Sequence, residues 1–118
     1  LGLSYKPGTN VVDASQGLLL ADALANEGIS VVAFDPAAME EARKILGDSI
    51  GFAESARACT KQSNVIVLTT PWREFECLEL NSFAPPGSRK LIDCWRLLEG
   101  SEIADSTEYI PLGIGPIT

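Results

Sequence analysis

Gly28-Ile29-Ser30-Val31-Val32-Ala33-Phe34-Asp35-Pro36 is the stretch whose reading decides the fold. Ser30 to Phe34 is short, apolar and rich in β-branched residues, the composition of a strand buried on both faces. Asp35 can then accept the first free N–H groups of a helix. Pro36 suits the first helical position, where a missing N–H leaves nothing unpaired. A strand that hands over at once to a helix is the repeating unit of a parallel sheet.

The same alternation extends both ways. Upstream, Gly28 ends a helix predicted from about Ser15 to Glu27, with Ser15 as its cap and Leu18, Leu19, Ala23 and Leu24 as its apolar face. Leu1 to Tyr5 reads as a strand whose beginning is missing, and Lys6-Pro7-Gly8-Thr9-Asn10 as the turn after it. Downstream, the helix opened by Asp35 runs to Leu46 and stops at Gly47. A short strand at Ile50 to Ala53 and a short helix at Glu54 to Gln62 follow. Val65 to Thr69 is the clearest buried strand. Pro71 to Cys77 begins a loop or short helix, Pro85-Pro86-Gly87 turns, Leu91 to Cys94 is another strand, and an edge strand is expected near Tyr109 and Ile110. The expectation is an α/β fold: a three-layer αβα sandwich around a mainly parallel, Rossmann-like sheet of about five strands. Such sheets bind ligands at the carboxyl ends of their strands. Attention therefore falls on Lys6 to Asn10, Asp35, Thr69 to Trp72 and Cys94 to Arg96.

Composition limits the function classes. The 118 residues fit one domain, spanning 1–118, and 46% hydrophobic with 21% charged is the balance of a soluble globular protein. No apolar run approaches a membrane span. The net charge of −7, with nine basic residues spread along the chain, gives no basic patch for nucleic acid. There is no histidine, so no Ser-His-Asp or Cys-His site can be built here. Cys59, Cys77 and Cys94 are odd in number and widely spaced, which suggests buried thiols of a cytoplasmic protein rather than a disulfide framework or zinc site. The opening at Leu1, already inside a strand, reads as a fragment of a longer chain.

Two nucleotide readings compete at the first turn. Asp35 stands where dinucleotide-binding domains place a ribose-binding carboxylate. Gly2 and Gly8, however, do not make G-x-G-x-x-G, so helix capping is the preferred role for Asp35. The turn offers other chemistry. Lys6 can bring an ammonium to a phosphate, while Thr9 and the amides leading into the Ser15 helix can donate to one. The alternative for Lys6 is a solvated surface lysine. Tyr5 or Trp72 can cover an apolar ring face, or simply pack in the core.

Gly2-Leu3-Ser4-Tyr5-Lys6-Pro7-Gly8-Thr9 resembles the G-L-x-[YF]-K-x-x-T motif that opens the C-terminal domain of the UDP-glucose/GDP-mannose dehydrogenase family. Other pieces follow in the family's order: Ser15, then Gly28 to Pro36 as G-x-x-V-x-x-Y-D-P. Val65 to Thr69 with Trp72, Glu74 and Phe75 resembles a strand followed by W-x-E-F, and Leu91-Ile92-Asp93 the last core strand. The resemblance covers residues 1 to about 100.

The resemblance implies that the parent protein oxidises the 6-hydroxyl of a nucleotide-sugar hexose to a carboxylate. It implies two NAD molecules and a covalent thiohemiacetal on a cysteine that lies upstream. NAD would be bound by a missing N-terminal domain, leaving no cofactor for this fragment. None of the three cysteines has the catalytic context, so the fragment is expected to be inactive alone. Its expected task is to bind a UDP-sugar substrate, against the remaining domains of its own chain and in a homo-oligomer when full length. Carried over position by position, Tyr5 and Lys6 contact the nucleotide-sugar, Lys6 foremost, with Thr9 beside them. Asp13 stands where the family has an arginine that reaches toward the cofactor. Trp95 stands where it has a substrate-contacting arginine, and the neighbouring Arg96 is the candidate substitute. Two alternatives stay open: a non-catalytic packing domain of a divergent member, and an independent adenine-dinucleotide module.

Overall fold

The structure, a computed structural model, describes residues 1–12, 15–77, 89–98 and 107–112. The elements are α1 (Gln16–Asn26), β1 (Val32–Ala33), α2 (Met39–Leu46), β2 (Gly51–Phe52), α3 (Ala56–Lys61), β3 (Val65–Leu68), β4 (Arg89–Asp93) and β5 (Thr107–Pro111). A 3₁₀ turn, Arg73–Cys77, follows β3. The expected turn at Pro85-Pro86-Gly87 lies outside the described residues, as does Asp13.

Among the described residues every strand pairing is parallel. β1 pairs with β2, and β3, β4 and β5 pair in that order. The five strands among the described residues therefore form two sheets instead of one. The strand expected at Leu1 to Tyr5 is not formed. Gly2 lies at φ 109°, outside the β region, and the N–H groups of Leu3 and Ser4 turn to the Asp35 carboxylate rather than to a neighbouring strand. Leu1 and Gly2 still bridge the sheets. The Leu1 amino group donates to the Val67 carbonyl, Thr69 N–H donates to Leu1 O, and Gly2 N–H donates to Phe34 O.

Serines cap two of the helices, Ser15 as expected and Ser55 in addition. Ser15 caps α1 through its hydroxyl, which accepts from Leu18 N–H at 3.2 Å, and Ser55 caps α3 in the same way at 3.0 Å. Gly28 and Gly47, both at positive φ, follow α1 and α2. β1 is shorter than its sequence run, because only Val32 and Ala33 find ladder partners in β2.

Two apolar clusters cover the sheets. One joins Leu3, Leu18, Ala21, Ala33, Ala38, Ala42, Leu46 and Ile50, which brings α1 and α2 to one face. The other joins Ala56, Ile66, Leu68, Phe75, Leu91 and Leu98, with Phe34 packed against it, and places α3 and the 3₁₀ turn on the other face. Ala33 and Phe34 enter different clusters, as successive residues of an extended chain must. This is the αβα layering the alternation predicts.

Candidate nucleotide-binding site

Parallel strands bring their carboxyl ends to one side, and the loops that leave them meet there. Three are described: Tyr5 to Val11 after the Leu1–Ser4 segment, Thr69 to Trp72 after β3, and Cys94 to Leu98 after β4. Side-chain hydrogen bonds join them. Thr70 Oγ1 donates to Ser4 O at 3.0 Å, Trp72 Nε1 to Ser4 Oγ at 3.1 Å, and Trp95 Nε1 to Thr69 O at 2.9 Å.

The platform beneath these loops is built on Asp35, which is 1% exposed. One carboxylate oxygen accepts from Ala37 N–H and Ala38 N–H, both at 2.8 Å, and so caps the turn into α2. The other accepts from Leu3 N–H, Ser4 N–H, Ser4 Oγ and Trp72 Nε1 at 2.8 to 3.1 Å. Burial alone would raise the carboxyl pKa, but the N–H groups of Ala37, Ser4, Leu3 and Ala38 outweigh it and hold the group below its ordinary value. The expected helix cap is corrected: α2 begins at Met39 with Ala38 at its N-cap and no side-chain cap bond, and Asp35 instead holds the turn at Pro36 to Ala38 that leads into it. The residues that supply the other donors lie 31 to 37 positions away, so no local pattern announces them. With both oxygens engaged and buried, Asp35 is not presented to a ribose.

Asp93 plays the matching part after β4. It is fully buried; Oδ1 accepts from Trp95 N–H, and Oδ2 accepts from Leu98 N–H and the Tyr109 hydroxyl. These bonds fix a tight turn in which Arg96 sits at φ 54°, a left-handed conformation that a non-glycine residue adopts only when its surroundings impose it.

The candidate residues divide by exposure. Tyr5 is 57% exposed, and Lys6 is exposed on a loop whose ends are drawn together by Tyr5 N–H donating to Val11 O at 2.7 Å. Thr9 is partly buried, and its hydroxyl accepts from Val11 N–H, which stiffens the loop. Among the described residues nothing engages the Lys6 ammonium. Arg96 is exposed, and its Nε donates to Leu112 O at 3.2 Å. Trp72 is half-buried: it packs against the apolar cluster that includes Phe75, and its N–H is held by Ser4 and Asp35. Trp95 presents a 57% exposed indole, anchored through Thr69.

Gly17 went unnoticed in the sequence. A Cβ there would collide with the carbonyl of Gly2 and come within 2.7 Å of Thr69 Oγ1, so α1 presses its first turn directly on the bridging backbone. A glycine inside an apolar helix pattern was the available signal.

Burial raises the thiol pKa of Cys59 and, aided by the charge of Asp93, that of Cys94. Both thiols stay protonated and weakly nucleophilic. The side chain of Cys77 lies outside the described residues. Among the described residues no cluster of three or more His, Cys, Asp or Glu could hold a metal, and no helix is long and apolar enough to cross a membrane.

Comparison with known proteins agrees with this architecture. Residues 1–100 match the model of the UDP-glucose/GDP-mannose dehydrogenase family, UDP binding domain. The chain is 35% identical over 105 residues to the UDP-glucose 6-dehydrogenase AglM of Haloferax volcanii, covering 89% of this chain and 24% of that protein. It is 42% identical over 83 residues to a UDP-glucose 6-dehydrogenase of Rickettsia prowazekii, covering 69% of this chain and 18% of that one. A UDP-glucose dehydrogenase from the hyperthermophilic archaeon Pyrobaculum islandicum superposes with a TM-score of 0.73 at 29% identity, over 92% of this chain and 23% of that chain. The chain thus spans about a quarter or less of the relatives' length. A parallel αβα fold, the ordered motifs and the match over residues 1–100 together make this chain a member of the UDP-glucose/GDP-mannose dehydrogenase family, corresponding to its UDP binding domain.

Proposed function

We propose that this domain holds the nucleotide end of a UDP-sugar for an NAD-dependent 6-dehydrogenase whose redox chemistry lies outside these 118 residues. The supporting observation is the loop from Tyr5 to Val11. It carries a cation without a partner among the described residues, at the carboxyl end of a parallel sheet and just before the capped start of α1. A compact ammonium and a helix N-terminus are complementary to a diphosphate. Holding the unreactive end of the substrate fixes the distant hexose carbon without any reacting group in this domain.

Lys6 would contact the diphosphate or a sugar hydroxyl. Arg96 would add a second cation from the turn imposed by Asp93. Tyr5 would cover an apolar ring face. Trp72 and Thr9 act through position, since their polar atoms are already occupied within the platform. NAD, supply of a uronic-acid precursor, a cytoplasmic setting and a homo-oligomeric parent belong to the same reading.

Calorimetric titration of the full-length protein with UDP, with ADP and GDP as controls, tests it. UDP should bind selectively, and Lys6→Ala should weaken it at least tenfold while leaving the melting temperature unchanged, because Lys6 supports no packing. Selective binding of GDP, or UDP affinity unmoved by Lys6→Ala, would contradict the proposal.

A further inference from the structure

Two tryptophans stand at the carboxyl ends of the strands, in opposite surroundings. Trp72 is half-buried, and its N–H is held by Ser4 and Asp35. Trp95 leaves 57% of its surface open. A single exposed apolar residue is ordinary on a protein surface. This one differs in being held at both ends. Its backbone N–H donates to the buried Asp93 carboxylate at 3.1 Å, and its indole Nε1 donates to Thr69 O at 2.9 Å. Asp93 also accepts from Leu98 N–H and the Tyr109 hydroxyl, so the turn that carries Trp95 is anchored in the core.

The tether decides where the ring lies. Leu68 pairs with Asp93 in the β3–β4 ladder, so Thr69 and Cys94 are the first residues beyond it. The indole thus reaches sideways from the end of β4 to the end of β3. Thr69 in turn donates through its N–H to Leu1 O and through its hydroxyl to Gly2 O, on the segment that runs on to Tyr5 and Lys6. Neighbouring strands lie ~4.8 Å apart, so the ring stands one to two strand widths from the base of the Lys6 loop. The one polar atom of the indole is already engaged by Thr69. What stays open is carbon: a flat, electron-rich face with no donor for a phosphate.

We propose that Trp95 is a stacking platform for an uncharged ring of the bound nucleotide-sugar, its pyrimidine base or the apolar face of its hexose. This rests on the reading of these loops as a nucleotide-sugar site, and it divides the work within that site. Lys6 meets the charge of the ligand, and Trp95 meets a ring. An indole face attracts the C–H edges of such rings and repels anions. The two hydrogen bonds fix the side chain in the free protein, so little rotamer freedom is left to lose on binding. Where the family pattern has a charged arginine, this chain makes a contact that salt does not screen.

Calorimetric titration of the full-length protein with UDP-glucose and with UDP tests this. Trp95→Ala should weaken UDP-glucose binding at least ~5-fold, by the same factor at low and high salt. Trp95→Phe keeps a ring but loses the bond to Thr69, and should bind within about threefold of the parent, whereas Trp95→Leu should match the alanine variant. If the base is the stacked ring, UDP loses as much affinity as UDP-glucose; if it is the hexose, UDP binding is unchanged. A phenylalanine variant as weak as the alanine one would overturn the proposal, since the bond and not the ring would then matter. So would a Trp95→Ala variant that melts lower yet binds UDP-glucose as tightly as the parent. Unchanged affinity in Trp95→Ala with a loss in Lys6→Ala would sink the stacking role alone; no loss in either would sink the site reading with it.

Discussion

Asp35 is the residue on which the candidate site rests. Four backbone N–H groups and two side-chain donors converge on one buried carboxylate. Removing it leaves these donors without a partner in an apolar surrounding, so Asp35→Ala should cost about 3–5 kcal/mol. Urea denaturation measures this, and a loss below about 1 kcal/mol would contradict the role. The same carboxyl sets an acid limit. Its folded pKa lies below the ordinary 3.8, so between the two values the unfolded chain binds the extra proton. The stability it contributes is complete above 3.8 and drains away as pH falls through the lower folded value. A titration of stability against pH should show that acid loss, and Asp35→Asn should flatten it. Gly17→Ala poses a second test of the residue scale. Helix propensity favours alanine by about 1 kcal/mol, but the collision with the Gly2 carbonyl involves backbone that cannot easily yield, at about 1–3 kcal/mol. The net effect should be destabilising in thermal unfolding; a stabilised variant would mean that α1 does not press on the bridging segment.

At the scale of elements, the helices were legible and the strands less so. Ser15, Gly28, Ser55 and Gly47 act at helix ends, where capping is a local matter of one side chain and one turn. α1 carries no acidic residue in its first turn and no basic residue in its last, so Ser15 is its main terminal support. Ser15→Ala should lower stability by about 1 kcal/mol, checked by thermal denaturation, with no change arguing against the cap. Strands depend on partners instead. Leu1 to Tyr5 has strand composition, yet Gly2 leaves the β region and Asp35 captures the next two N–H groups. Val65 has the composition of a buried strand residue, yet faces an open groove. Neither fact is written near the residue it concerns. The Tyr5 and Lys6 loop could be placed because turn residues announce it, whereas the platform joining Ser4, Asp35, Thr70 and Trp72 is made wholly of long-range bonds.

For the whole molecule, the geometry sets two ends apart. Loops carrying Lys6, Trp95 and Arg96 gather at the carboxyl ends of the strands, while the apolar groove opens toward the amino ends of β1 and β3. The account assigns the nucleotide to the first. The net charge of −7 makes the distinction sharper, because an anionic ligand must be drawn by few cations against the overall field. The most direct test is a hydrogen-exchange footprint of UDP on the full-length protein. The account predicts slower exchange confined to Tyr5–Val11, Thr69–Trp72 and Trp95–Arg96. Protection centred instead on Ile29–Ala33 and Asn64–Val67, with the Lys6 loop unchanged at saturating UDP, would contradict it.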